Sequence, residues 1–306
     1  MNLSKRDRLK KIWLYDKWLY ILLLPGLLYY VLFKLLPIWG LAIAFQNYQP
    51  FLGLWKSKWV GFANFQSLFA DPIFFRLLRN TLVFAVINIV FFFPLPIILA
   101  LLLNELKNQV YKKTVQTIIY IPHFFSWIIV AGITYVLFTT EGGAVNNVIF
   151  SLSGSKVNFL SDVHLLRPLI LGQTIWKEGG WGTIIFLAAL TGIDPNLYEA
   201  ASIDGANRFH KLWNISLPAI APTIAILLIL RMGSFLDVGF EQLFVMINAG
   251  NRDVGEVFDT YVYNVGITQG RFSFTTAVGM FKSVVACIMV VSANWWAKKA
   301  GQSGIL

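Results

Sequence analysis

Asp237 and Glu241 stand four residues apart in a run that is otherwise almost wholly apolar. In a helix that spacing puts both carboxylates on one face. Paired carboxylates suit general acid–base chemistry, and they serve equally as hydrogen-bond acceptors for a ligand or as partners for Arg231 and Lys282. Lys34 and Asn88 lie in comparable apolar runs, and Trp176-Lys177-Glu178-Gly179-Gly180-Trp181-Gly182 interrupts another near its middle. Charge is costly in hydrocarbon, so such residues are functional candidates by default. Trp176, Glu178, Asp237, Glu241 and Lys282 are the candidates for a substrate pathway, and Arg231 is assigned to structural pairing. The glycines of 179–182 allow a broken or kinked helix. Lys177 and Glu178 either line a cavity or pair with other helices, and Trp176 and Trp181 are either packing or stacking platforms for a ligand.

Nothing else supports an enzyme. The sequence has no Gly-x-x-x-x-Gly-Lys-Ser/Thr loop to cradle phosphates, no nucleophile elbow and no His-Glu-x-x-His. His123, His164 and His210 are scattered without metal-ligand spacing, and Cys287, the one cysteine, can form no disulfide within the chain. No catalytic or metal residues are assigned.

The elements that must position these side chains are membrane helices. Of 306 residues, 57% are hydrophobic and only 13% charged, about half the charged share of a soluble domain. A net charge of +10 could suggest nucleic acid. However, the densest basic cluster (Lys5, Arg6, Arg8, Lys10, Lys11, Lys17) abuts an apolar run, as a topology signal does, and no nucleic-acid partner is expected. Six segments are long enough to cross a bilayer: about 19–45, 80–104, 114–138, 165–191, 216–247 and 271–297. The first is too long for a signal peptide and is read as a retained anchor. Lys and Arg concentrate in 1–18, 105–113, 192–215 and 298–306, which places both termini in the cytoplasm. The expected architecture is therefore all-α and polytopic: a cytoplasmic segment 1–18, a six-span domain 19–297 and a cytoplasmic tail 298–306. The aromatic-rich outer loop 46–79 is read either as an interfacial belt or as a platform for a substrate-delivery protein.

One internal connection, residues 191–218, has its own design. Asp194 can cap a helix that Pro195 opens, running through about Ile203. Asp204-Gly205 supplies a turn with Gly free to take positive φ. A second short helix from about Asn207 to Asn214 puts Phe209, Leu212 and Trp213 on one face, ended by Leu217-Pro218. Small residues (Ala200, Ala201, Gly205, Ala206), one carboxylate (Glu199) and exposed bulky side chains describe either a plain connection or a docking knob for a soluble partner.

Glu199-Ala200-Ala201, then Gly205, Ile215 and Leu217-Pro218, reproduce the signature of ABC-importer permeases, which this chain resembles. Leu24-Pro25-Gly26, Trp59-Val60-Gly61-Phe62-Ala63-Asn64-Phe65 and Asn80-Thr81-Leu82, with Tyr15-Asp16-Lys17, are similar to the maltose-type carbohydrate permeases and more narrowly to the LplB-like polysaccharide branch. The resemblance implies a type I (MetI-like) permease fold in the bacterial cytoplasmic membrane. It implies that 194–218 is a coupling loop inserted into an ATPase cleft. There Glu199 is the polar contact, Ala200, Ala201, Asp204 and Gly205 the close-packing turn, and Phe209 with Trp213 the apolar plug. It further implies a second homologous permease, two ATP-binding cassette subunits that hold ATP and Mg, and an extracytoplasmic binding protein. The cargo expected is a di- or oligosaccharide, with a peptide or polyamine as the alternative solute and a membrane-bound enzyme as the alternative class.

Overall fold

The computed structural model describes residues 17–301 and Gly304. Of the expected N-terminal segment 1–18, all but Lys17 and Trp18 lie outside the described residues, as do Tyr15-Asp16 and most of the tail beyond Gly301. The described chain is helical apart from one short hairpin, and it falls into two compact units. One gathers the residues up to Leu68 with Arg271–Met280; the other gathers Phe69–Gly270 with the chain from Phe281 on.

In the first unit an apolar helical stretch runs from Lys17 to Phe45, and no side chain along it is buried before Ala44. So much uncovered Leu, Ile, Tyr and Trp surface needs an apolar medium. The following loop closes as an antiparallel hairpin, Gln46–Asn47 with Lys58–Trp59. Asn64 Nδ2 donates to the Ala44 and Gln46 carbonyls at 2.8 and 3.0 Å, and the Tyr48 N–H donates to Ser273 Oγ at 2.8 Å. Phe45, Phe62 and Phe65 pack together with centroids 5.4–5.6 Å apart, whereas Phe51 and Trp55 project fully from the surface.

Among the described residues four helices are long and apolar enough to cross a membrane: Lys17–Phe45, Pro72–Asn104, Arg208–Gly233 and Phe272–Lys299. The Gln109–Phe124 and Trp127–Phe138 helices add a fifth if that pair, bent by 100°, is one span. The straight span expected over 114–138 is thus broken. Pro122 sits in a 3-10 turn, Phe125 is extended, and Ser126 restarts the helix by accepting the Ile129 N–H. The expected span 165–191 is a continuous helix, Leu166–Thr191, but Gln173, Lys177, Glu178 and its glycines leave it too polar to count by composition. The expected span 216–247 ends early, at Gly233.

Three π turns each precede a proline. Val31–Leu35 leads to Pro37, Asn88–Phe92 to Pro94, and Leu212–Ser216 to Pro218. A proline inside a regular α-helix removes one hydrogen bond and drives its ring into the carbonyl four residues back. Widening the preceding turn to i→i+5 bonding, as with Phe93 N–H to Asn88 O at 2.8 Å, relieves that contact and lets the helix run on.

The centre of the second unit is the Leu166–Thr191 helix. Its glycines do not break it; they let neighbours approach. A Cβ on Gly180 would lie 1.9 Å from the Ile119 carbonyl oxygen, and one on Gly182 would lie 2.7 Å from the Pro96 ring. Toward one end, Phe186 and Leu190 pack with Ala100, Leu101 and Ile220; toward the other, Leu166 and Ile170 join Phe84, Ala131, Leu243 and Met246. A buried polar ladder joins three helices between them. Gln242 Nε2 donates to Gln173 Oε1 and to the Ile170 carbonyl, both at 2.9 Å, and Gln173 Nε2 donates to Thr134 Oγ1 at 2.7 Å. Buried amides so fully bonded fix register as well as adding stability.

Candidate functional site

The Asp194–Pro218 connection folds much as its residues dictate. Asp194 accepts the Asn196 N–H at 2.9 Å and Pro195 opens a helix to Ile203. Gly205 takes φ +80°, and the Ala206 N–H reaches back to the Ala201 carbonyl at 2.8 Å while Gly205 N–H meets Ser202 O at 3.2 Å. This paired 6→1 and 5→2 bonding is a Schellman stop, which needs a left-handed residue at the Gly205 position. The second helix differs from expectation. Arg208–Lys211 passes through the π turn 212–216 straight into Leu217–Gly233, so Leu217-Pro218 does not end it. Any push on Phe209 or Trp213 therefore acts on the end of a continuous 26-residue helix.

Two ties brace the connection: Tyr198 Oη with Ser216 Oγ at 2.9 Å, and Lys211 Nζ donating to Ser202 Oγ at 2.5 Å. Leu212 and Leu217 pack on the Leu190–Ile220 cluster. Turned outward are Glu199, Ala200, Asp204, Gly205, Phe209 and Trp213, with Ala201 half-buried. Phe209 and Trp213 lie one turn apart with ring centroids at 6.0 Å and are both more than half exposed. Ala201, Asp204, Gly205 and His210 line a hollow of about 330 Å³ beside them. A braced frame that shows apolar rings, a small-residue turn and the exposed carboxylates of Glu199 and Asp204 is built to receive a partner surface.

The second feature is a cavity of about 410 Å³ within the second unit, walled by Trp127, Glu178, Trp181, Arg231, Asp237 and Gln242 among others. Its carboxylates are held. Glu178 Oε2 lies 2.7 Å from His123 Nδ1, and Glu178 Oε1 accepts from Lys177 Nζ at 2.7 Å. Lys177 also donates to the His123 carbonyl at 3.0 Å and stands over the Trp127 ring at 5.1 Å. Asp237 Oδ1 is 2.6 Å from Lys282 Nζ, which also bonds Asp259.

The structure separates the residues that spacing had joined. Asp237 and Glu241 do not share a helix face: Asp237 lies in the non-helical stretch after Ser234, and Gly239 at φ +92° redirects the chain before the Phe240–Met246 helix begins. Glu241 is exposed and lies outside the cavity wall, while Trp176 lines a different, apolar groove of about 600 Å³ with Val130 and Ile133. Arg231, assigned to pairing, faces the cavity. His123 and Gln242 gave no sequence signal, since the one is 55 residues from its partner Glu178 and the other is an amide in an amphipathic turn. No cluster of metal-ligating side chains occurs among the described residues.

The comparisons point the same way as the loop. The model of the family "Binding-protein-dependent transport system inner membrane component" matches residues 92–299. Protein LplB of Bacillus subtilis (strain 168) is 58% identical, over 95% of this chain and 91% of its own length. The polygalacturonan/rhamnogalacturonan transport system permease protein YteP of the same strain is 53% identical, over 99% and 94%. Among solved structures, a chain of a bacterial alginate ABC transporter, crystallised in complex with an alginate pentasaccharide-bound periplasmic protein, superposes with a TM-score of 0.89. It is 37% identical, and the match covers 98% of this chain and 99% of that one.

Proposed function

The chain belongs to the family of binding-protein-dependent transport system inner membrane components, and from that premise we propose how it works within a sugar importer. It is a permease subunit with the mostly helical, MetI-like fold, and the ATPase is a separate polypeptide. In our reading its cargo is a di- or oligosaccharide, as the names of its relatives favour. A second permease completes the pathway, two ATPase subunits bind ATP and Mg, and an extracytoplasmic binding protein delivers the sugar.

We read six spans. The sixth is Leu166–Thr191, whose 26 residues reach about 39 Å, enough for a hydrocarbon core of about 30 Å. Its Gln173 and Lys177 are buried in protein, as an interior helix requires. The excess of Lys and Arg in alternate connections supports cytoplasmic termini and a cytoplasmic Asp194–Pro218 loop.

The observation that carries the mechanism is the continuity of the Arg208–Gly233 helix. One of its ends bears the exposed Phe209 and Trp213; the other bears Arg231 on the cavity wall. Closure of the ATPases on the loop would move that helix as a rod and reshape the cavity, which is alternating access. Glu178, Asp237 and Lys282 remain our pathway residues, with Lys282 acting through Asp237, and the cavity wall adds Trp181. A polyamine would need open carboxylates, and both in the cavity wall are already held by cations.

Reconstituted in proteoliposomes with its partner permease, ATPases and binding protein, the chain should support ATP-dependent sugar accumulation that stops when the ATPases are omitted. Undiminished uptake without them, or ATP-driven uptake of peptides and not of sugars, would overturn this reading.

A further inference from the structure

We propose that Arg231 recognises the carboxylate of a uronate-bearing sugar in the cavity; the inference rests on reading that cavity as the sugar passage. The argument is one of charges and their partners. Three ionisable side chains line the cavity: Glu178, Asp237 and Arg231. Both oxygens of Glu178 are engaged, one by Lys177 and one by His123. Asp237 is bonded by Lys282, which Asp259 shares from behind. Arg231 alone is uncommitted: among the described residues its guanidinium has neither a hydrogen bond nor an ion pair, although the residue is half-buried on the cavity wall.

The position does not need an arginine for the helix. Arg231 falls in the last turn of Leu217–Gly233, where a cation does favour the dipole. Yet its own carbonyl is met by Ser234, through N–H at 3.2 Å and Oγ at 3.3 Å, so the guanidinium is not the cap. A half-desolvated cation with five unused donors is expensive to keep in a membrane helix unless an acceptor arrives. The planar fork fits a carboxylate with two parallel bonds, which a hydroxyl cannot match. The amide of Asn88 and the indoles of Trp127 and Trp181, also on the wall, suit the rest of a pyranose ring. At about 410 Å³ the cavity holds a ligand of small-molecule size, so an oligomer would present its units singly.

The test compares trigalacturonate with its methyl ester, which keeps the size and removes the charge, by titration calorimetry on the intact solubilised importer without binding protein. Wild type should bind the acid about tenfold or more tightly than the ester. Arg231→Gln should abolish that preference while leaving ester affinity unchanged, and Arg231→Lys should keep part of it. Equal binding of acid and ester by wild type would overturn the proposal, as would an equal loss for both in Arg231→Gln. Should Arg231→Gln fail to co-purify with its partners, Arg231→Lys decides: a reduced acid-to-ester ratio supports the proposal and an unchanged ratio overturns it. Binding of neither sugar by wild type would instead sink the sugar-passage reading itself.

Discussion

The His123 imidazole lies flat on the indole of Trp181, with ring centroids 4.2 Å apart and planes 4° from parallel. The same ring reaches Glu178 through Nδ1, so one side chain both covers a cavity-lining aromatic and holds a cavity-lining carboxylate. It comes from the 3-10 turn just before the 100° bend, which makes it the clamp between that bend and the central helix. His123→Ala should lower the thermal midpoint of the purified complex by the equivalent of about 1–3 kcal/mol. His123→Gln, which can still bond Glu178, should recover part of that loss. Scanning fluorimetry reads both, and an unchanged midpoint in His123→Ala would mean that the clamp is idle.

Two glycines of the central helix should behave in opposite ways. A Cβ on Gly180 collides with the backbone of Ile119, which cannot step aside cheaply, whereas one on Gly172 meets nothing within 4 Å. Gly180→Ala should cost about 1–3 kcal/mol or prevent assembly. Gly172→Ala should be neutral or stabilising by up to about 1 kcal/mol, the helix-propensity difference. Yield and thermal midpoint of the two variants, side by side, check the packing.

Lys282 is mostly buried and serves two carboxylates, Asp237 and Asp259. Lys282→Met leaves both without their cation; Asp237 is well exposed, so the cost falls mainly on the part-buried Asp259 and should be about 1–3 kcal/mol. Adding Asp259→Asn should restore much of the loss because it removes one of the two orphans. Denaturation of the single and double variants tests this, and additive losses would contradict a shared ion cluster.

Much of this was legible in the residues and some was not, for identifiable reasons. Asp194, Pro195 and Gly205 act through local backbone chemistry, so the first helix of the loop and its stop follow from sequence. Helix rather than strand follows from the lengths of the apolar runs. The pairing of Asp237 with Glu241 misled because i,i+4 spacing assumes an unbroken helix, and Gly239 at φ +92° breaks it. The glycines at 179–182 suggested a kink because sequence cannot show that the backbone of Ile119 and the ring of Pro96 come up against them. Likewise Pro218 looked like a stop until the π turn before it accommodated the ring. The Glu178–His123 pair and the uncommitted Arg231 are long-range facts that depend on how helices pack.

The central claim is that the Asp194–Pro218 loop carries force from the ATPases to the cavity through the Arg208–Gly233 helix. The most direct measurement is sugar-stimulated ATP hydrolysis alongside ATP-driven uptake in the reconstituted importer carrying Gly205→Val or Glu199→Lys. A side chain at φ +80° costs about 1–2 kcal/mol and distorts the turn, and Lys at 199 reverses an exposed charge of the loop. The account predicts that both variants fold and bind sugar in the membrane domain while stimulated hydrolysis and uptake fall together by about tenfold or more. Wild-type coupling in both variants would contradict it.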